Sequence, residues 1–518
     1  MAATAQSRVL FTTIASIAGM VCAACSGSNP MSSAIPISQA GQRSAQIHRP
    51  SQSGVVVDPS NIGPQVTTAV LGADMDVWFD ITQPGLAASF VQAGMANTRW
   101  PGGHGADHYH WQTNRYGPGK CATGFNVGKP NPKSTFDNFM TDLVSHAHLD
   151  TAITVNYGSN AQCTGGADPA EAVAWVKYAN VTKHYNVTWW TVGNEQYTPD
   201  SLDLRSSPHD PTQYAQVLGA DYYHQMKAAS PHVPINVCAD AATDNNTWDE
   251  TVFKLAPFDC IELHYYPQKG TSVNDIFLLT SGVRGLTATI KLIEGELAAA
   301  GRAGTPIYLA EIGSALPPGD KQETSITQAL YAGQIVGEMM NDGVARANWH
   351  SGYVTCEPPS QGGDFSRTLY GWQDYGGSMV FSDGAIDDQC HRKNVPLGTL
   401  YPTAVALQVA SHFVRNREHA LGASVAGMPK VCAYATTYNG GYAVMLFNLS
   451  EMHSQNVPVR IVGKTSGTGG SVWTYDKALY DYSKDGIWKG PSTSKLSSWR
   501  NSFTVTLPPW SMTVVQTH

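Results

Sequence analysis

Val187-Thr-Trp-Trp-Thr-Val-Gly-Asn-Glu-Gln196 decides how this 518-residue chain is read. Val187 to Val192 is a run of β-branched and aromatic residues, the pattern of a buried strand. Gly193 ends the run, and Asn194-Glu195 stand at its C-terminal tip. A buried charge is costly unless it is paired. A carboxylate beside an amide at a strand tip therefore points to a cleft rather than to packing alone. A second tip of this kind, Ile307-Tyr-Leu-Ala-Glu311, lies much further along.

Outward from these tips, strand and helix patterns alternate. Strands are expected near 65–71, 95–100, 151–156, 187–193, 234–238, 259–265, 306–311 and 345–350. Helical spacing fills the intervals, as in 134–149. Asp168-Pro169 supplies a cap followed by proline at the first helical position. Eight strands, each followed by a helix or a long loop, predict an α/β fold, a (β/α)₈ barrel over 61–414. From 415 to 518 the pattern changes to short strands bounded by Gly, Asn and Ser, which predicts a small β-sandwich. Ser53 to Val57, at the end of the 26–60 segment, is expected to add a strand to it.

Hydrophobic residues make up 42% and charged residues 14%, so the chain is a folding one. A net charge of -8 argues against nucleic acid and anionic membranes as partners. Residues 1–25 read as a signal peptide: Arg8 gives the positive region and Val9 to Val21 the apolar core. Ala23-Ala24-Cys25 resembles a lipoprotein cleavage site, although Cys22 stands where Leu or Val is usual. Export is expected, to a secreted, periplasmic or membrane-anchored location, with Cys25 the candidate lipid anchor. The Ser-, Gln- and Pro-rich stretch after it reads as a tether. Two disulfides are expected, Cys121 with Cys163 and Cys356 with Cys390. Cys238 and Cys260 read as core residues. No Cys or His cluster has zinc spacing, so neither a metal nor a cofactor is expected.

In a barrel of this type the chemistry sits at the C-terminal ends of the strands. Glu195 ends the fourth strand and Glu311 the seventh, so the two carboxylates can face each other across the mouth. Two facing carboxylates are what glycoside hydrolysis needs. The expected substrate is a glycoside, oligosaccharide or polysaccharide. The rival reading is a carbohydrate-binding protein on an inactive barrel. The charge on Glu311 is expected to raise the pKa of Glu195 and keep it protonated.

With these residues in place, the chain resembles the retaining glycosidases that carry both glutamates on strands four and seven of such a barrel. Gly193-Asn-Glu195 matches their acid/base motif and Ala310-Glu311 their nucleophile position. The resemblance covers about residues 60 to 518. It runs toward the heparanase/β-glucuronidase family, glycoside hydrolase family 79. Arg99-Trp-Pro-Gly-Gly103 and Val155-Asn-Tyr-Gly158 also resemble the α-L-arabinofuranosidases of the same clan. The resemblance implies that Glu195 is the acid/base, Glu311 the nucleophile and Arg99 a neighbour of the nucleophile. It implies that Asn194 meets the sugar 2-hydroxyl. Tyr265 is preferred as the hydrogen-bond partner of the nucleophile, with Tyr266 the alternative register.

Three further residues are candidates for the sugar pocket. Asp107, in a glycine-rich loop, could aim a carboxylate at sugar hydroxyls. Trp349, on the eighth strand, could underlie the ring. Leu316 stands where the glucuronidases carry a Tyr that helps hold the uronic carboxylate, and it cannot donate a hydrogen bond. Tyr353, in Gly352-Tyr353, is a candidate replacement, with Tyr370-Gly371 in the long loop after the eighth strand the alternative.

Overall fold

The computed structural model describes residues 53–126, 129–243, 246–269, 272–316, 321–353, 369–371, 380–382, 384, 395–483 and 489–518. The signal peptide, Cys25, the tether up to residue 52, and Cys356 with Cys390 lie outside the described residues. Eight parallel strands close into a barrel: β1 (Gly72–Asp74), β2 (Asn97–Trp100), β3 (Asp150–Val155), β4 (Trp189–Val192), β5 (Asn236–Asp240), β6 (Cys260–Tyr265), β7 (Ile307–Ile312) and β8 (Arg346–Trp349). Seven fall where their apolar runs predict. The first does not: 65–71 is mostly a turn, and the barrel is closed by the short β1. Its Asp74 faces an arginine, and a charged three-residue strand has no hydrophobic signature.

Side-chain parity divides every strand between two cores. Ala152, Cys238, Cys260, Tyr308 and Ala310 pack together inside the barrel. Ile153, Val237, Ile261, Leu263, Leu309 and Trp349 belong to the core between strands and helices. Cys238 and Cys260, read as plain core residues, form a disulfide inside the barrel. They are direct partners on the neighbouring strands β5 and β6, with Cα atoms 4.4 Å apart. That adjacency is a property of the strand register and is not visible along the chain. Cys121 and Cys163 are bonded as expected.

The second unit is one nine-stranded sheet curled around its own apolar core. The strand Gly54–Gln65, which precedes the barrel, lies inside this sheet, third from one edge. It runs antiparallel to His419–Ala426 and parallel to Gln455–Ile461. The sheet packs on the barrel helix α1 (Ile326–Asp342). Gly333 and Gly337, one turn apart, let it approach. A Cβ at Gly337 would lie 2.5–2.6 Å from three ring atoms of Tyr434. The Tyr434 hydroxyl meanwhile donates to Glu338 Oε1 at 2.7 Å.

Gly337→Val should therefore force the two units apart and cost about 1–3 kcal/mol, the usual range for overpacking. Thermal unfolding measures this, and an unchanged Tm would contradict the packing described.

Candidate active site

The polar tips of six strands converge at the C-terminal mouth. Glu195 follows β4 with φ of 52°, a left-handed conformation that side-chain-bearing residues adopt only when the surroundings impose it. Asp107 and Asp240 impose it. The Asp107 carboxylate accepts the backbone N–H of Asn194 (3.0 Å) and of Tyr157 (3.0 Å), and the side-chain amide of Gln196 (2.8 Å). Asp240 accepts the backbone N–H of Gln196 at 2.6 Å. Burial pushes Asp107 up to about 8, against those three N–H donors. Asp107 thus positions the β4 tip: it is fully buried and its carboxylate is occupied by these three donors.

Glu311 owes its direction to a β-bulge. Leu309 pairs with Leu263, yet Glu311 pairs with His264, so one residue is extra on β7. Tyr308 and Ala310 point inward and Leu309 outward. Strict alternation would send Glu311 outward; the bulge returns it to the mouth. Glu311 Oε1 accepts from Arg99 Nη1 at 2.9 Å, and Oε2 accepts from the Tyr266 hydroxyl at 2.7 Å. A Cβ at Gly103 would stand 2.7 Å from Oε1, so the loop needs glycine there.

The two glutamates meet. An oxygen of each lies within 4.8 Å of the other and of His264. Their side chains are largely buried, and each keeps a small exposed face, 12% for Glu195 and 7% for Glu311. His264 bridges them: Nδ1 is 2.8 Å from Glu195 Oε1 and 3.6 Å from Glu311 Oε2, while Nε2 is 3.1 Å from Glu262 Oε1. Burial alone would discharge this imidazole; Glu311, Glu195 and Glu262 outweigh burial and hold it protonated. Burial raises Glu311 as well, but His264, His350, Arg99 and Tyr266 pull it well below the usual carboxylate range. The expected elevation of Glu195 is not found. Burial and Glu311 do push it up, but the hydrogen bond and charge of His264 prevail and lower it. The same contact therefore favours the ionised carboxyl on Glu195 and the protonated imidazole on His264.

Arg99 and Asn194 lie where expected. Arg99 Nη2 donates to Asn194 Oδ1 (2.6 Å) and Glu262 Oε1 (2.7 Å). The other candidates are redistributed by parity. On β6, Cys260, Glu262 and His264 face inward, so Tyr265 faces the helices and its hydroxyl donates to Gly282 O at 2.5 Å. The residue that reaches Glu311 is Tyr266, just past the strand. On β8, Trp349 is buried edge-on against Tyr331 of α1 and offers no platform. Its neighbour His350 turns inward instead, with Nδ1 2.8 Å from Asp74 Oδ2. Tyr353 is buried with its ring edge-on to Phe79, 5.4 Å away, and does not line the mouth. Leu316 is 42% exposed.

Buried polar groups without a hydrogen-bond partner among the described residues include the Asp76 carboxylate, Trp78 Nε1, the Tyr116 hydroxyl and Asn194 Nδ2. Buried polar groups are nearly always paired, so this set is ready to receive a hydroxylated ligand. Burial, with Asp74 next in weight, pushes Asp76 up to about 8.

No family model matches the chain, and no curated protein matches it by sequence. Solved structures do match its fold. An α-L-arabinofuranosidase from Thermotoga maritima, solved with arabinose, aligns with a TM-score of 0.65 at 17% identity, over 90% of this chain and 99% of that one. A GH51 arabinofuranosidase from Xanthomonas axonopodis pv. citri gives 0.65 at 16% identity, over 90% and 100%. A bifunctional glucanase–xylanase from a metagenome library gives 0.61 at 14% identity, over 90% and 99%. The chain is similar to these in fold: a barrel followed by a β-domain.

Burial alone would lower His350, yet Asp74 and Glu311 hold it up at about 10. A group whose folded pKa exceeds its unfolded value of about 6.5 stabilises the fold fully below that value. The contribution is lost as the pH rises toward the folded pKa. His350→Gln should therefore flatten the fall in stability between pH 7 and 9 by one proton, about 1.4 kcal/mol per pH unit. Urea midpoints across that range measure it, and equal slopes in the two proteins would remove His350 from the ion cluster.

Proposed function

We propose that this protein is a retaining glycoside hydrolase that acts on a neutral sugar, with α-L-arabinofuranosides the favoured substrate class. The observation that carries the reading is the pair Glu195 and Glu311 at the barrel mouth, with oxygens within 4.8 Å. Carboxyl groups ~5–5.5 Å apart leave no room for an intervening water and suit double displacement.

Glu311, held ionised by Arg99 and Tyr266, attacks the anomeric carbon as the glycosidic C–O bond breaks. Glu195 delivers a proton to the leaving oxygen. That proton comes along the 2.8 Å contact from His264, which becomes neutral. Water then attacks the glycosyl ester, the ester C–O bond breaks to release Glu311 as a carboxylate, and the water's proton passes through Glu195 back to His264 along the same contact. Asp76 and Asn194 Nδ2, unpaired beside the nucleophile, are suited to sugar hydroxyls.

The glucuronidase-type specificity is less well supported than the arabinofuranosidase-type one. A uronate needs a cation or several free donors. Arg99 spends both terminal nitrogens on Glu311, Asp74, Asn194 and Glu262. Four carboxylates, Asp74, Glu195, Glu262 and Glu311, outnumber the cations Arg99, His264 and His350 and would disfavour another anion. The fold neighbours that are arabinofuranosidases favour the same choice. Export and lipidation at Cys25 remain part of the proposal. Replacing Cys25 with Ser should release the protein from membranes if a lipid holds it.

Chromogenic substrates test the reading. An aryl α-L-arabinofuranoside should be cleaved and the matching β-glucuronide should not. Glu311→Ala should lower kcat by about 10⁴-fold or more with every substrate. Glu195→Ala should hurt poor leaving groups far more than good ones. Cleavage of the glucuronide alone would reverse the substrate assignment. Failure of an activated fluoro-sugar to label Glu311 would favour a binding protein without catalysis.

A further inference from the structure

The loop that leaves β2 carries a feature that the proposed chemistry does not use. It first makes the turn His104–His108, where His104 Nε2 stands 3.4 Å from Glu195 Oε2. A short hairpin follows, pairing Tyr109–His110 with Arg115–Tyr116. The Tyr116 end belongs to the active site: a Cβ on Gly105 would lie 2.8 Å from its hydroxyl. The tip, Trp111 to Arg115, lines instead a cleft of about 620 Å³, closed on its other side by Pro130, Pro132, Asp137 and Tyr178. That is the size of a small-ligand site.

The lining has the character a sugar needs. Trp111 is half-buried, with one face stacked on Trp175 at 5.5 Å and 14°. Its indole N–H is already donated to Glu171 O at 3.1 Å, so what remains to the cleft is apolar ring. Tyr178 lies 5.1 Å from Trp111. Its hydroxyl donates to Asp137, which also accepts from Tyr185 and Lys183 and so serves as a satisfied floor. Gln112 and Arg115 are exposed, and neither side chain has a partner among the described residues. Rings and prolines accept the C–H face of a sugar, while a planar amide and a guanidinium offer donors to its hydroxyls.

We propose that this flank cleft binds a sugar unit of a neutral glycan chain, a second holding site joined to the active site through the hairpin. The ligand class rests on the glycan-active reading; the cleft itself does not. A chain held at both places gains effective concentration at the active site. A monomeric aryl glycoside cannot reach both.

The test uses the full chain carrying Glu311→Gln, run by affinity electrophoresis in gels containing arabinoxylan, arabinan or mixed-linkage β-glucan. At least one glycan should retard it. The double substitution Gln112→Ala/Arg115→Ala, which alters only exposed side chains, should weaken that binding about fivefold or more. Trp111→Ala should do the same, with a thermal melt to show that it folds. In the active protein, the double variant should raise KM for the polymer by a like factor and leave the aryl glycoside unchanged. No retardation in any gel, or equal retardation of parent and double variant, overturns the proposal. If no substrate is cleaved but the retardation is lost in the double variant, the cleft stands and the catalytic reading falls.

Discussion

The structure turns on the burial of one cation. Arg99, near the end of β2, has no solvent exposure. Removing a guanidinium from water costs several kcal/mol unless it is paired and hydrogen-bonded. Arg99 meets that requirement by gathering Asp74 from β1, Asn194 from the β4 tip, Glu262 from β6 and Glu311 from β7. Four strand ends are thereby held to one point. The same pairing aims Glu311 and, with His264 and His350, keeps it ionised, so the interaction that closes the barrel mouth also readies the site.

His264 is the second joint. It touches Glu195, Glu311 and Glu262, and it stays charged because three carboxylates surround it. The cluster as a whole carries more acid than base, and Asp76 relieves part of the excess by rising to about 8. Such a site discriminates against anionic ligands by its own field. A neutral ligand with many hydroxyls suits the unpaired groups that remain.

How far the site could be read depended on parity. Glu195, Glu311, Arg99 and Asn194 stood out because charged or amide groups at the ends of apolar runs are rare. Tyr265, Trp349 and Tyr353 were chosen for residue type; strand alternation turns Tyr265 and Trp349 away, and Tyr353 lies past the end of β8, buried against Phe79. The signal was present: Ile261 and Leu263 frame Glu262 and His264, which puts Tyr265 on the apolar side. The same count selects His350 over Trp349. The bulge that redirects Glu311 left no such trace, since Ala310-Glu311 reads as ordinary alternation until β6 and β8 are laid beside it.

The order of strands and helices, the barrel, the trailing β-domain and the two acidic tips follow from the chain alone, because periodicity and strand-end chemistry are local properties. Several features do not: the Cys238–Cys260 bond, the seat of the Gly54–Gln65 strand between two distant partners, the bridging role of His264 and the depression of Glu195. Each depends on which groups, far apart in sequence, come within a few ångströms. Coulombic and hydrogen-bond energies follow those distances, and only the closed barrel sets them.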